Sequence, residues 1–286
     1  MPGRDPWKEC SLQTFPTLPK ARAALIRQLV REKQARAVEG AFVLEGPKPI
    51  RELLARDAQV LRAVVTTPSY LEKCDPSLPQ ALTRTRVPTY ICRETVLNTL
   101  SDVAHPPGIL AVVCQPAWDP ATVFRRTHLL GLYGESFQDP TNLGAIIRTA
   151  SAFGIDAMWL STDSVDVFNP KVVRATTGAI LELPILALPQ TGGPGTSPTD
   201  VFKRHHCALF VADPSSRQSR DMREITQIPA RTILAFGNEG RGCSESTLRQ
   251  ATLRFRVPMK RTAESLNVAA SAAIALYHFS GLRRTP

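Results

Sequence analysis

The stretch from residue 233 to residue 277 constrains this chain more than any other. An apolar run at 233–236 has the length and composition of a buried strand. It empties into Gly237-Asn238-Glu239-Gly240-Arg241-Gly242, three glycines around one carboxylate. Glycine accepts positive φ and lets a backbone approach a ligand closely. A second short strand, 253–257, is stopped by Pro258, and a polar segment carrying Glu264, Ser265 and Asn267 leads into a helix of small residues. Two strands ending in polar loops, followed by such a helix, describe a ligand site at the carboxyl edge of an α/β sheet.

Upstream, the alternation of strand and helix runs through two segments. Residues 41–45, 60–66, 87–91 and 109–113 read as strands, and 49–58, 70–74 and 94–100 as helices, which predicts a small α/β domain over 37–115. A linker follows at 116–126, opened by Pro116-Ala117-Trp118-Asp119-Pro120. From 127 to 286 the alternation restarts, with strands at 128–133, 157–160, 183–188 and 208–212 and helices at 142–153 and 170–178. Asn142 is placed to cap the first of these helices and Gly154 to end it. Residues 190–198 are turn chemistry and are expected to form a surface loop. The first 19 residues hold four prolines and are expected to be a loose arm.

Charge adds a partner class. Lys and Arg number 35 against 25 Asp and Glu, a formal net charge of +10, which points to a polyanion such as nucleic acid. Over 20–36, Lys20, Arg22, Arg27, Arg31, Lys33 and Arg36 oppose only Glu32, while Ala24, Leu25, Leu29 and Val30 supply an apolar stripe. That predicts one basic amphipathic helix, equally a phosphate-binding surface or a solvated face. The six cysteines form no C-x-x-C pair, which predicts free thiols in a reducing compartment and no structural zinc. No run reaches membrane-spanning length, and the N-terminus has no apolar signal core, although its basic character leaves an organelle address open.

Four polar clusters fall at predicted strand ends: Glu135 with Asn142 and Arg148, residues 169–178, residues 237–242 and residues 264–267. Singly, Asn142, Ser265 and Asn267 are explained as helix caps. Arg148, beside Ile146, Ile147 and Ala150, calls for a specific anion, either a ligand or an internal salt bridge. Glu239 among glycines has little use in packing. The P-loop, G-x-S-x-G and H-E-x-x-H signatures are missing, and Gly240-x-Gly242 lacks the third glycine of a dinucleotide fingerprint.

The segments DPTNLGAIIRTASAFG, NPKVVRATTGAILELP, AFGNEGRG and VPMKRTAESLNVAASAAIALY, in this order, resemble the successive motifs of the SpoU (TrmH-type) RNA ribose 2′-O-methyltransferases. Residues 36–115, with FVLEG early and LSDVAHPPGILAVV late, are similar to that family's small substrate-binding domain, itself akin to an RNA-binding ribosomal-protein fold. The resemblance implies an α/β fold whose C-terminal parallel sheet is tied in a deep trefoil knot, a homodimer, and S-adenosylmethionine as cofactor with no metal. It implies cofactor contacts at Gly237, Val257 and Leu266, mainly through backbone, and a catalytic set of Asn142, Arg148, Glu239, Ser265 and Asn267. Arg22, Arg27, Arg31, Lys33 and Arg36 are the candidate RNA contacts, with Arg217, Arg220 and Arg223 as a second track. The expected activity is 2′-O-methylation of structured RNA, 23S-type rRNA before tRNA, in the cytoplasm. A non-catalytic RNA-binding or ribosome-assembly factor on the same fold is the competing reading.

Overall fold

The computed structural model describes residues 15–188, 197–260 and 266–283. The chain divides into two compact units between Gln115 and Pro116. Unit 1 contains α1 (Lys20–Arg31), α2 (Lys33–Glu39), β1 (Ala41–Glu45), α3 (Pro47–Arg56), β2 (Leu61–Thr66), α4 (Pro68–Lys73), α5 (Ser77–Thr85), β3 (Thr89–Ile91), α6 (Glu94–Thr99) and β4 (Ile109–Cys114). Its sheet has the order β1-β4-β2-β3, antiparallel except for the β2–β3 pair. Side chains alternate across a strand. Val43, Ala63, Val65 and Leu110 therefore share one face, where Ile26 and Leu29 of α1 pack on them.

The single basic helix expected over 20–36 is two helices, because Glu32 leaves helical geometry at φ −117°, ψ 118°. Its apolar phase also differs: Ala23, Ile26, Leu29 and Val30 are buried, and Ala24 is exposed. Arg36 is corrected most. It is 3% exposed, and its Nη1 donates to the carbonyls of Leu29 (2.7 Å) and Val30 (3.3 Å). Those are acceptors left over at the end of α1, so Arg36 closes a helix inside the fold and is not part of an exposed phosphate track.

Unit 2 contains α7 (Pro120–Phe124), β5 (Leu129–Gly134), α8 (Pro140–Ala152), β6 (Ala157–Ser161), α9 (Pro170–Thr176), β7 (Ile185–Leu188), α10 (Pro198–Arg204), β8 (Ala208–Ala212), β9 (Arg220–Asp221), β10 (Arg231–Phe236), α11 (Glu245–Arg249), β11 (Leu253–Arg256) and α12 (Val268–Arg283). Its seven strands run parallel in the order β7-β6-β5-β10-β8-β11-β9. Both faces are covered, as a parallel sheet requires. Leu234 and Phe236 join Leu143, Ile146 and Ile147 of α8 and Leu276 and Phe279 of α12 on one side. Ile233 and Ala235 face Trp159 and Phe202 on the other. Each large side chain buried this way contributes about 1.5–3 kcal/mol.

The segment read as a linker holds a turn of helix, α7, capped by Asp119. The cap of α8 is Asp139, whose side chain accepts from Thr141 N, with Pro140 in the first turn. Asn142 therefore sits within the helix rather than ahead of it, and its side chain is released for other work. Asp156 anchors the far edge of the sheet: it accepts from Leu130 N at 2.8 Å and pairs with Arg126 and with Arg283 of α12. The 1–14 part of the expected N-terminal arm, 190–196 of the expected loop, and Glu264 and Ser265 lie outside the described residues.

Candidate active site

β10 delivers Gly237 to the carboxyl edge of the sheet, and the chain reverses at once. Asn238 and Gly242 exchange backbone hydrogen bonds at 3.0 and 2.9 Å, while Asn238 Oδ1 accepts from Gly240 N and Arg241 N. Gly242 adopts φ +71°, and a Cβ on Gly237 would lie 2.0 Å from the Gly242 carbonyl carbon. Both glycines are thus demanded by the turn itself. The turn points Glu239 at the start of α8. There its carboxylate accepts from Gln138 N (3.3 Å), Asp139 N (3.2 Å) and Asn142 Nδ2 (3.2 Å). Desolvation pushes the carboxyl upward, but its own backbone N–H together with Asn142, Asp139 and Gln138 outweighs it and holds Glu239 below the usual carboxylate range.

The loop after β5 answers in kind. Glu135, 3% exposed, accepts from Ser244 N at 3.1 Å, and Asn238 Nδ2 donates to Ser136 O at 2.9 Å. Two loops about a hundred residues apart thus clamp each other, each lending the other a carboxylate. Ser136 holds φ +58°, unusual for a residue other than glycine, and is fixed by Ser161 Oγ on its nitrogen and by Asp163 on its hydroxyl. A cleft of about 420 Å³ opens beside this clamp, with Glu135 and Cys243 among its lining residues and Asp163 and Arg241 at its exposed side. Burial, helped by Glu135, pushes the Cys243 thiol upward, so it is not a nucleophile.

From the other direction, Asn267 caps α12 through Oδ1, which accepts from Ala269 N (2.8 Å) and Ala270 N (3.3 Å). Its Nδ2 donates to Asn142 Oδ1 at 2.8 Å. The result is a directional chain, Asn267 to Asn142 to Glu239. Because a carboxylate only accepts, Asn142 must turn Nδ2 toward Glu239 and Oδ1 toward Asn267. Each end of the Asn142 amide keeps one further hydrogen-bonding valence.

The structure therefore brings together Asn142, Glu239 and Asn267 of the expected catalytic set. Arg148 is elsewhere on α8: it is exposed, and among the described residues its guanidinium makes no hydrogen bond or ion pair. The apolar surroundings expected from its sequence neighbours are absent, since Leu143, Ile146, Ile147 and Ala150 face the core and Arg148 does not. Gly237 and Val257 follow β10 and β11, the two strands that flank β8. Two strand spacings put them roughly 10 Å apart, with the buried Asp213 at the end of β8 between them. Val257 is half-buried and Leu266 is 38% exposed. Backbone at a glycine turn, a half-buried valine and an accessible leucine fit the adenosine of S-adenosylmethionine, which needs flat apolar contact and backbone hydrogen-bonding groups.

Arg22, Arg31 and Lys33 are exposed; Arg27 is half-buried and donates to Thr99. In the second basic segment, Arg223 is folded onto Asp221, whose carboxyl is pulled down to about 2 by hydrogen bonds from Arg223. The reading by sequence passed over Ser136, Gln138, Asp163 and Asp213. Only Asp213 carried a local signal, a strand followed by Asp-Pro. Among the described residues, no group of His, Cys, Asp and Glu side chains is placed to hold a metal.

Comparison with known proteins agrees with this geometry. The SpoU rRNA Methylase family profile matches residues 130–277, and an MRM3-like substrate binding domain profile matches 24–111. The chain is 30% identical over 249 residues to the 23S rRNA (guanosine(2553)-2′-O)-methyltransferase RlmP of Bacillus subtilis, covering 87% of this chain and 92% of that one. It is 32% identical over 257 residues to an uncharacterized tRNA/rRNA methyltransferase of Synechocystis, covering 88% and 89%. The crystal structure of the SpoU methyltransferase AviRb from Streptomyces viridochromogenes, in complex with AdoMet, superposes with a TM-score of 0.76 at 26% identity, over 93% of this chain and 98% of that one. Profile, relatives and fold agree: this chain belongs to the SpoU rRNA methylase family.

Proposed function

We propose that this protein transfers a methyl group from S-adenosylmethionine to a ribose 2′-hydroxyl of structured RNA, with large-subunit rRNA as the substrate. The observation that carries the reading is the Asn267–Asn142–Glu239 chain at the edge of a family-matched sheet. The naming of RlmP as a 23S rRNA 2′-O-methyltransferase supports rRNA over tRNA. An intact hydrogen-bonded set also argues against a non-catalytic RNA binder.

When bound, S-adenosylmethionine supplies a methyl group made electrophilic by its sulfonium. The chain's own residues do the rest. Glu239 is an anchor rather than a base, because three donors fix its carboxylate in place and it is held below the usual carboxylate range. Asn142 presents its remaining valences to the ribose, Asn267 fixes the start of α12, and Ser265 orients the acceptor. Arg148, exposed on another face of α8 from Asn142, is free to grip a phosphate that the bound RNA brings to it, and its charge would lower the pKa of the 2′-hydroxyl so that the proton leaves to solvent. A guanidinium does not itself act as the base, since it keeps its proton in proteins.

We further infer a trefoil-knotted arrangement of the turns after β10 and β11, supported by the insertion of β10 between β5 and β8. A homodimer built on α12 is supported by the exposed Ile274 (40%) and Tyr277 (71%). The five described cysteines are free, which supports a reducing compartment such as the cytoplasm. Among the described residues, no helix is long and apolar enough to cross a membrane.

Isothermal calorimetry with S-adenosylmethionine, followed by transfer from tritiated donor to separated rRNA and tRNA, tests the reading. Cofactor binding with label in rRNA is expected. Absence of cofactor binding would favour the non-catalytic factor, and label in tRNA alone would overturn the substrate.

A further inference from the structure

Unit 1 holds a cleft of about 220 Å³ between α1 and its sheet. Ala41, Ala63 and Val112 form its floor, all at most 6% exposed, and Ile26 and Leu29 of α1 form a wall. Two alanines, on the strands either side of β4, set its depth, since any longer side chain at either place would fill it. Polar groups stand only at the mouth. There Arg22 lies 5.1 Å above the centroid of the Tyr90 ring. Arg62 is held nearby by Glu39 at 3.8 Å and donates to Cys114 Sγ at 3.1 Å.

We propose that this cleft takes one unstacked base of the RNA substrate, an inference that rests on the ribose-methyltransferase reading. Its size is below the about 300–1,000 Å³ that suits drug-sized ligands, which fits a single planar ring system. An aliphatic interior has no donors for a phosphate, so a free anion is not its occupant. A flat, uncharged ring on a polyanionic chain matches both parts at once: the ring enters, and its phosphates remain beside Arg22 and Arg62 at the mouth. Aromatic and guanidinium planes are the surfaces on which proteins stack unpaired bases, and the Arg22–Tyr90 pair supplies one of each. Arg22 is itself exposed and borders the buried stripe of α1, so it stands at the edge of the opening, while Arg31 lies on the opposite side of the helix.

The test compares full-length wild type with Ala63→Leu, which fills the cleft without altering charge, and with Tyr90→Leu, which removes the platform. The probe is a fluorescein-labelled single-stranded RNA 12-mer of mixed sequence, set against the same chain carrying abasic sites. Both variants are expected to bind the 12-mer roughly 5- to 150-fold more weakly, the worth of one stacked base. The slope of log Kd against log salt should not change, because no phosphate contact is lost. The wild-type preference for the 12-mer over the abasic chain should shrink by the same factor. Thermal melting confirms folding, and if Ala63→Leu fails to fold, Tyr90→Leu carries the test. Unchanged affinity in the folded variants overturns the proposal. So does an effect confined to oligomeric mass, which would assign the cleft to a second copy of the chain. Should wild type bind the RNA through the cleft yet transfer no methyl, the enzymatic reading has failed and the base site stands.

Discussion

Asn267 Nδ2 donates to Asn142 Oδ1 at 2.8 Å, joining two helix starts that lie 125 residues apart in the chain. That one bond makes the order of α12 depend on α8, and through Asn142 it depends on Glu239. Replacing Asn142 by Ala cuts the chain in the middle while leaving Asp139 to cap α8. Asn142→Ala is therefore expected to lower kcat by about 10²-fold, the usual loss for a preorganised polar contact, with S-adenosylmethionine affinity changing far less. Single-turnover methyl transfer and calorimetry on the same preparation check the split. Equal losses in both would mean that Asn142 serves cofactor binding instead.

Glu239 gives a pH signature. Its carboxyl is held below the ordinary range, net of desolvation, by its own backbone N–H and by Asn142, Asp139 and Gln138, the last three brought to it by the fold. A depressed folded pKa contributes stability that is fully present above the unfolded value, about 4.3 for a glutamate. That stability is lost as pH falls through the lower folded value. Glu239→Gln should melt below wild type at pH 6–8 by a constant margin, and the margin should close as pH drops below about 4. Melting curves across that range are the check; a margin independent of pH down to acid would contradict the anchoring role.

Gly237 and Gly240 separate steric need from mere composition. A Cβ on Gly237 meets Cys243 N at 2.1 Å, whereas one on Gly240 finds nothing closer than 3.7 Å. Gly237→Ala is expected to cost at least about 1–3 kcal/mol of stability as an overpacking change and to remove activity by displacing the turn. Gly240→Ala should be close to wild type in thermal melting.

Much of this architecture is readable from the sequence. The strand at 231–236 announces itself by its apolar run, and the turn after it by glycines around a carboxylate. Polar residues at successive strand ends betray the edge where the site forms. What escapes is whatever depends on rotation or on non-local pairing. A helix turns 100° per residue, so Arg148 can stand among apolar neighbours in sequence and still face away from them. The same rotation, after the break at Glu32, carries Arg36 inward. Asp139-Pro140 outcompetes Asn142 as a helix start because proline fits the first turn. Ser136 and Asp163 meet only because β5 and β6 are neighbours in the sheet, and nothing local signals that. The helix α5 is not legible in the sequence, because Pro76, Pro79 and two threonines obscure its periodicity.

Basic residues of unit 1 divide by role. Arg36→Gln should lower stability by about 1–3 kcal/mol, the cost of buried carbonyls left without a donor, with little change in the salt dependence of RNA binding. Arg31→Gln and Lys33→Gln should do the reverse: melting is unaffected, and the slope of log Kd against log salt falls by about 0.7–0.9 for each lost phosphate contact. Titrations at several salt concentrations, paired with melting curves, distinguish the two groups.

Arg148→Lys should retain part of the rate and shift the pH optimum upward. Lysine keeps the charge but loses the two-pronged grip on a phosphate, so the target hydroxyl is less acidified. An unchanged pH–rate profile with full turnover would remove Arg148 from the chemistry.

The central claim is that the Asn267–Asn142–Glu239 edge carries out methylation of a ribose oxygen. Nucleoside mass spectrometry of large-subunit rRNA, after reaction with isotopically labelled S-adenosylmethionine, addresses it most directly. The account predicts one nucleoside carrying the label on its ribose, produced by wild type and all but absent with Asn142→Ala. Label on a base, or an undiminished ribose product from Asn142→Ala, would contradict it.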